Sequence, residues 1–239
     1  MRGGVLYSVV GGIVMFFSKI RFRDAARKKL VSHRKNFPAS IKDIVYSMVL
    51  EPDENRGDCH FVYRFDGDQL PPVVTMVSER RPTSDDNQFE CLTKEYDPSV
   101  REGQTLRIRS RVNATRKHNG DRRDIVQLMK WKAHDQGLDL DALPQRLTMA
   151  QEAGQRWLSD QGERCGFEVE KMAVSDYGRY EDFHTHIPAI AYLDMQAIIE
   201  VTDPGKVRDL LFQGFGKAKG FGFGLVEAMP YNTQQGELR

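Results

Sequence analysis

The sequence predicts an α+β fold made of two consecutive βαββαβ units, with a glycine-rich loop in the second. Three observations predict it. Short β-rich runs alternate with runs of helical period, in the order strand, helix, two strands, irregular segment, strand, and that order then recurs. The strand runs are bounded by Gly, Pro, Asn and Asp, the residues that punctuate sheets. The chain has 239 residues, 40% of them hydrophobic, enough for one domain or two small ones. The repeat lies in the order of elements and not in sequence identity, and no low-complexity tract interrupts it.

Residues 16–23 alternate apolar and basic side chains, as a half-buried strand does. Residues 24–35 are dense in charge, with Asp24 as a helix N-cap. A second helix starts near Pro38 and Ser40, where Ile41, Ile44, Val45 and Met48 recur on one face and Glu51-Pro52-Asp53 ends it. Residues 59–66 and 73–79 read as strands joined by a Gly-Asp turn and two prolines, and residues 85–96 as irregular or a degenerate helix. Residues 106–115 alternate tightly. Leu106, Ile108, Ser110 and Val112 take one side, and Arg107, Arg109 and Arg111 line the other. A basic hairpin tip follows, with Arg116, Lys117, Arg122 and Arg123 around an Asn119-Gly120 turn. Residues 125–132 fit strand or helix. Residues 148–161 are the longest clean helix, and 166–176 and 187–202 read as strands. Residues 206–213 are a short helix and 223–229 a final strand.

Between those last two elements runs Gly214-Phe215-Gly216-Lys217-Ala218-Lys219-Gly220-Phe221-Gly222-Phe223-Gly224. Glycine permits positive φ and close backbone approach. Successive N–H groups in such a loop form an anion-binding concavity, to which Lys217 and Lys219 add charge. The loop lacks the Gly-Lys-Ser/Thr of a P-loop. It follows a helix and precedes a strand, the reverse of a dinucleotide-binding turn. A nucleic-acid backbone is therefore the better partner. A general RNA-recognition module is disfavoured, because the aromatic spelling of its central strand is missing.

The totals narrow the setting. Formal net charge is +1, so binding to nucleic acid has to come from local clustering of cations. Cys59, Cys91 and Cys165 are far apart without a CxxC pair, which fits a reducing cytoplasm and argues against a zinc site. The apolar stretch 5–17 is too short to span a bilayer and turns basic at once, so no membrane partner is expected. Residues 1–14 read as an added strand or an overlong start.

The glycine run resembles the C-terminal loop of CRISPR repeat-RNA endoribonucleases, Gly-φ-Gly-x-x-x-Gly-φ-Gly with a basic residue among the three x, and most closely that of the CasE (Cse3) family. Val201-Thr202-Asp203-Pro204 is similar to that family's VTDP turn, Glu95-Tyr96-Asp97-Pro98 with Gly103 and the strand after it to its YDP…G…LRFRLRANPT segment, Phe61-Val62-Tyr63-Arg64-Phe65-Asp66 to its FLYRVE strand, and Met15-Phe16-Phe17-Ser18-Lys19-Ile20 to its MYLSKV strand. The resemblance covers residues 15–230. It implies tandem ferredoxin-like, RRM-like domains. The boundaries expected are 1–14 extension, 15–112 N-terminal domain, 113–231 C-terminal domain with the basic hairpin and glycine loop, and 232–239 tail.

The resemblance also implies an activity: cleavage of repeat RNA with no metal or other cofactor. The 2′-hydroxyl attacks the neighbouring phosphate to give a 2′,3′-cyclic phosphate, and the enzyme then stays on the crRNA 3′ stem-loop beside other protein subunits of the effector complex. The family's base is usually a histidine in Y-x-x-H-x-x-L-W-x-L-F on the first helix. Here Lys42 falls at the histidine and Ala39 at the tyrosine. Either Lys42 stabilises charge while another residue is the base, with His33 nearest, or the site has moved. Relatives from type IV CRISPR systems have altered sites, some relying on arginine, which makes Arg21, Arg23, Arg27 and Arg34 candidates, Arg23 first among them. The implied RNA contacts are Arg107, Arg109, Arg111, Arg116, Lys117, Arg122 and Arg123 on the stem, with Gly214, Gly216, Lys217, Lys219, Gly220 and Gly222 in the loop. His184 and His186 resemble a ligand pair without a third ligand, so no metal is expected.

Overall fold

The computed structural model describes residues 14–32, 39–137, 146–180 and 189–232. His33 and Arg34, the His184/His186 pair and nearly all of the expected extension and tail lie outside the described residues. The first unit contains β1 (Phe16–Phe22), α1 (Asp24–Ser32), α2 (Ala39–Val49), β2 (Phe61–Asp66), β3 (Val73–Ser78) and β4 (Phe89–Glu95). The second contains β5 (Thr105–Val112), a hairpin of β6 (Thr115–His118) and β7 (Asp121–Asp124), α3 (Ile125–Asp135), α4 (Arg146–Cys165), β8 (Phe167–Tyr180), β9 (Ile190–Val201), α5 (Pro204–Gln213) and β10 (Glu227–Pro230).

Two four-stranded antiparallel sheets form, β2-β3-β1-β4 and β10-β5-β9-β8. Each has its first strand between its third and fourth, the order of a ferredoxin-like unit, so the tandem α+β expectation holds. Two details differ from the expectation. The strand at 106–115 does not close the first unit. As β5 it pairs with β9 and β10 in the second sheet, so the sheets divide between β4 and β5 and not at residue 112. The first sheet is closed instead by β4, within the stretch read as irregular. That strand pairs only with β1 and places Phe89 alone in the fully buried class, so its alternation is faint, as edge strands allow.

β2 is buried at every residue, which a half-exposed strand would not be. Phe61, Tyr63 and Phe65 join Ile41, Val45 and Met48 of α2 in one core. Val62, on the opposite face, packs with Val77, Phe212 and Leu225, the last two from the second unit. The β2 strand is thus sandwiched between its own helix and the neighbouring unit. The second core gathers β5, α4, β8, β9 and α5 around Trp157, Phe167 and Phe215. The VTDP turn has a local cause: Asp203 accepts the Lys206 N–H at 3.1 Å and Pro204 opens α5, a capped start where proline costs no hydrogen bond.

Candidate nucleic-acid interface

The glycine loop is a clamped structure anchored by its aromatic residues. Phe215 and Phe223 are each 1% exposed. Phe215 packs edge-on to Trp157 and Phe167, and Phe223 lies against Tyr180 and Tyr192. The Phe215 N–H donates to the Gly224 carbonyl at 2.7 Å, closing the loop, and the Gly224 N–H donates to Arg111 O at 2.7 Å. At Gly224, with φ of 89°, a Cβ would stand 2.1 Å from the Phe215 carbonyl oxygen, so only glycine fits. The N–H groups of Gly214, Phe221 and Gly222 also donate to backbone carbonyls. Of the row of N–H groups expected from sequence, those of residues 214, 215, 221, 222 and 224 are therefore taken up by backbone carbonyls. Attraction for an anion falls to Lys217, which is exposed, and Lys219, which is half-buried. Gly216 has φ of 61° beside them.

The loop meets α2. Lys42, in the first turn of α2, holds its ammonium 5.2 Å from the Tyr46 ring centre and 5.5 Å from that of Phe221. Both lie within cation–π range, and no carboxylate among the described residues ion-pairs with it. Gly220 lies so close that a Cβ there would stand 2.6 Å from the Tyr46 hydroxyl. Tyr63 of β2 donates from its hydroxyl to the Gly220 carbonyl at 3.1 Å. Burial raises the Tyr46 pKa above the ordinary phenol value, with the Arg56 guanidinium pulling the other way. Burial also lowers the Lys219 pKa, and the charges of Arg56 and Lys217 push in the same direction. Lys219 beside Arg56 and Lys217 in a half-buried site, with Lys42 in the first turn of α2, suits a phosphate group.

On the other side Phe221 and Ala218 help line a groove of about 600 Å³ that runs to the basic hairpin. The hairpin turns through Asn119 and Gly120, both at positive φ, as the Asn-Gly signal predicts. Arg122, Arg123, Lys130, Arg146 and Arg179 line the groove, and Asp124 is the one carboxylate beside them among the described residues. That carboxylate is engaged: one oxygen caps α3 through Val126 N–H and Gln127 N–H, and the other accepts the Tyr177 hydroxyl at 2.6 Å. Burial and this bond push the Tyr177 pKa well up, keeping the phenol a donor.

The other predicted residues fall in different places. Lys117 and Arg122 are exposed on the hairpin, while Arg116 ion-pairs with Asp160. Arg23 is exposed directly after β1, on a different element from Lys42. Arg107 is exposed beside Met229. Arg109 and Arg111 have partners within the protein, because their face of β5 looks onto the first unit. Arg109 bonds Asp66 at 2.8 Å, and Arg111 bonds both Asp194 oxygens and the Phe65 carbonyl. Their guanidiniums hold the two units together. Tyr46, Arg56 and Trp131 are functional candidates that sequence reasoning does not single out. The spacing of Tyr46, four residues after Lys42, is the available signal for it. Among the described residues no group of three or more His, Cys, Asp or Glu is placed to hold a metal ion, and no helix is long and apolar enough to cross a membrane.

Known proteins of the same fold can be set beside this geometry. A solved structure of Thermus thermophilus Cse3 bound to an RNA representing a pre-cleavage complex superposes with a TM-score of 0.69 at 20% identity, covering 91% of this chain and 100% of that one. The CRISPR-associated protein Cas6e of Escherichia coli K-12 gives 0.57 at 17%, covering 90% and 100%. A chain of a CRISPR RNA-guided surveillance complex gives 0.52 at 14%, with the same coverage. No curated protein matches in sequence. The sequence profile of the CRISPR-associated proteins matches residues 15–230, nearly the whole chain, and this protein belongs to that family.

Proposed function

We propose that this protein is an endoribonuclease that binds the stem-loop of CRISPR repeat RNA, cleaves precursor crRNA by 2′-hydroxyl attack without a metal ion, and stays on the mature crRNA as a subunit of the effector complex. The observation that carries this reading is the Lys42 ammonium held against Phe221 of the glycine loop, at the end of a groove lined by five cationic side chains. RNA and the surveillance complex, as partners of proteins with this fold, support it. The 2′-oxygen bonds to the adjacent phosphorus and the bond to the 5′-oxygen breaks. A base takes the 2′ proton and an acid returns one to the leaving oxygen. Lys42 stabilises the charge that builds on the phosphoryl oxygens. The un-ionised Tyr46 hydroxyl donates a hydrogen bond at the same place, and His33 is the base.

Incubating the protein with labelled repeat RNA in EDTA tests this. The expected result is undiminished cleavage with a 2′,3′-cyclic phosphate product. Loss of cleavage in EDTA and its return with magnesium would overturn the mechanism. A second reading, a hairpin-binding subunit without catalysis, is favoured by a lysine standing where the resembled enzymes carry histidine. It predicts a gel shift with no cleavage. Binding itself has a separate signature. Replacing exposed Lys117 and Arg122 with alanine should weaken binding and lower the slope of log affinity against log salt by about one for each phosphate no longer neutralised. Arg109→Ala, placed between the units, should leave that slope unchanged.

A further inference from the structure

Trp131 is 38% exposed on a helix that has no need of it for packing. The buried side of α3 is Ile125, Val126, Leu128 and Ala133. At 100° per residue Trp131 points to the opposite side, the one it shares with Gln127 and Lys130. The chain's other tryptophan, Trp157, is 4% exposed in the second core, so the contrast is between a structural indole and a presented one. The Arg123 guanidinium carbon sits 4.9 Å from the Trp131 ring centre and covers one face. Trp131 is also one of the residues that line the groove. Across from it Arg146 lies over Tyr177 at 4.6 Å.

We infer that Trp131, backed by Arg123, is a stacking platform for one unpaired base of the bound RNA, with Lys130, Arg146 and Arg179 holding the phosphates on either side of that nucleotide. The inference rests on the RNA-binding reading above and adds a subsite to it. Paired bases in an A-form stem keep their faces inside the stack, so an indole open to a groove can be met only by a base that is unpaired or at an end. An indole face stacks on any base, and an arginine on its far side adds a cation–π contribution. Cations around the ring match a polyanion better than an apolar protein segment. Among the described residues the groove has one carboxylate, Asp124, whose two oxygens are engaged by the α3 N-terminus and the Tyr177 hydroxyl, against the cations of Arg122, Arg123, Lys130, Arg146 and Arg179.

The test uses full-length protein and the cognate repeat RNA, with a 2′-deoxy sugar at the cleavage position to prevent turnover and 2-aminopurine at one unpaired position at a time. One position is expected to be quenched on binding, with the quench kept in Trp131→Phe and lost in Trp131→Ala. The alanine variant should bind about 5- to 150-fold more weakly, the worth of one stacked base. Trp131 is exposed, so an unchanged melting temperature should show that the variant is folded. Wild-type binding with no position whose quench depends on Trp131 overturns the platform and leaves the RNA-binding reading standing. Failure of the wild type to bind the repeat overturns that reading itself. Unchanged RNA affinity in Trp131→Ala, with loss of assembly onto companion subunits, makes the ring a protein contact and likewise overturns the inference.

Discussion

Lys42→Ala is expected to slow single-turnover cleavage of repeat RNA about a hundredfold or more, while the affinity for uncleaved RNA changes by only a few-fold. The size follows from removing one contact to developing charge. The split between rate and affinity follows from where the ammonium sits. It rests on the rings of Tyr46 and Phe221, and among the described residues no carboxylate ion-pairs with it in competition with the substrate. Its interaction grows as negative charge builds on the phosphoryl oxygens, and binding energy realised there raises the rate of the chemical step. Lys42→Arg keeps the charge and should recover part of the rate. Tyr46→Phe removes a donor to a charged group, worth about 1.5–3 kcal/mol, and should slow cleavage by roughly 10- to 150-fold. His33→Ala is the companion measurement, in which loss of a pH-rate limb near neutrality would mark His33 as the base. Cleavage within a few-fold of wild type in Lys42→Ala would remove the site from this junction and turn attention to the arginines. Of these, Arg21 pairs with Glu90 at 3.3 Å and Arg27 with Asp24 at 3.0 Å, both at the surface.

The second unit is more legible in the sequence than the first. Thr115 to Asp124 declares a hairpin through Asn119-Gly120 because an Asn-Gly pair meets the demand for two positive φ values. The helix before the glycine loop is clear because Asp203-Pro204 is a capped start. β4 is hidden because an edge strand packed on one neighbour buries little, and Glu90, Lys94 and Glu95 mask the alternation of Phe89 and Cys91. The arginines of β5 show a deeper limit. Alternation reveals that Arg107, Arg109 and Arg111 share a face, but it is silent about what that face meets. Arginine on a strand opposite solvent and arginine on a strand opposite a buried aspartate have the same spelling. Asp66 and Asp194, the deciding partners, lie 43 and 83 residues away from them along the chain. The glycine loop misleads in a related way. Its glycines read as a row of donors, whereas Phe215 and Phe223 are the anchors and the glycines let the chain fold back on itself between them.

Asp194→Ala is expected to destabilise the protein by about 3–5 kcal/mol, the cost of leaving a buried cation without its partner. Asp194, 8% exposed, holds Arg111 with both oxygens and also reaches Arg64 at 3.4 Å. Arg64 is 6% exposed and bonds Asp66 at 2.7 Å. Burial works against the Arg111 charge, and the Asp194 carboxylate more than offsets it, leaving the guanidinium pKa above its ordinary value. Removing the carboxylate reverses that balance at the seam between the two sheets, because Arg64 belongs to β2 and Arg111 to β5. Urea unfolding should show the destabilisation as a lower midpoint, and heating as a melting temperature lower by roughly 10 °C. A second substitution, Arg111→Met, in the same chain should recover part of the stability by removing the stranded charge. A change below about 1 kcal/mol would mean that the seam is held mainly by Val62, Val77, Phe212 and Leu225 and by the Arg109–Asp66 pair, without a material share from Asp194. The consequence reaches the site. Lys42 stands on the first unit and Phe221 on the second, so a loosened seam should slow cleavage while the hairpin, carried wholly by the second unit, goes on binding RNA.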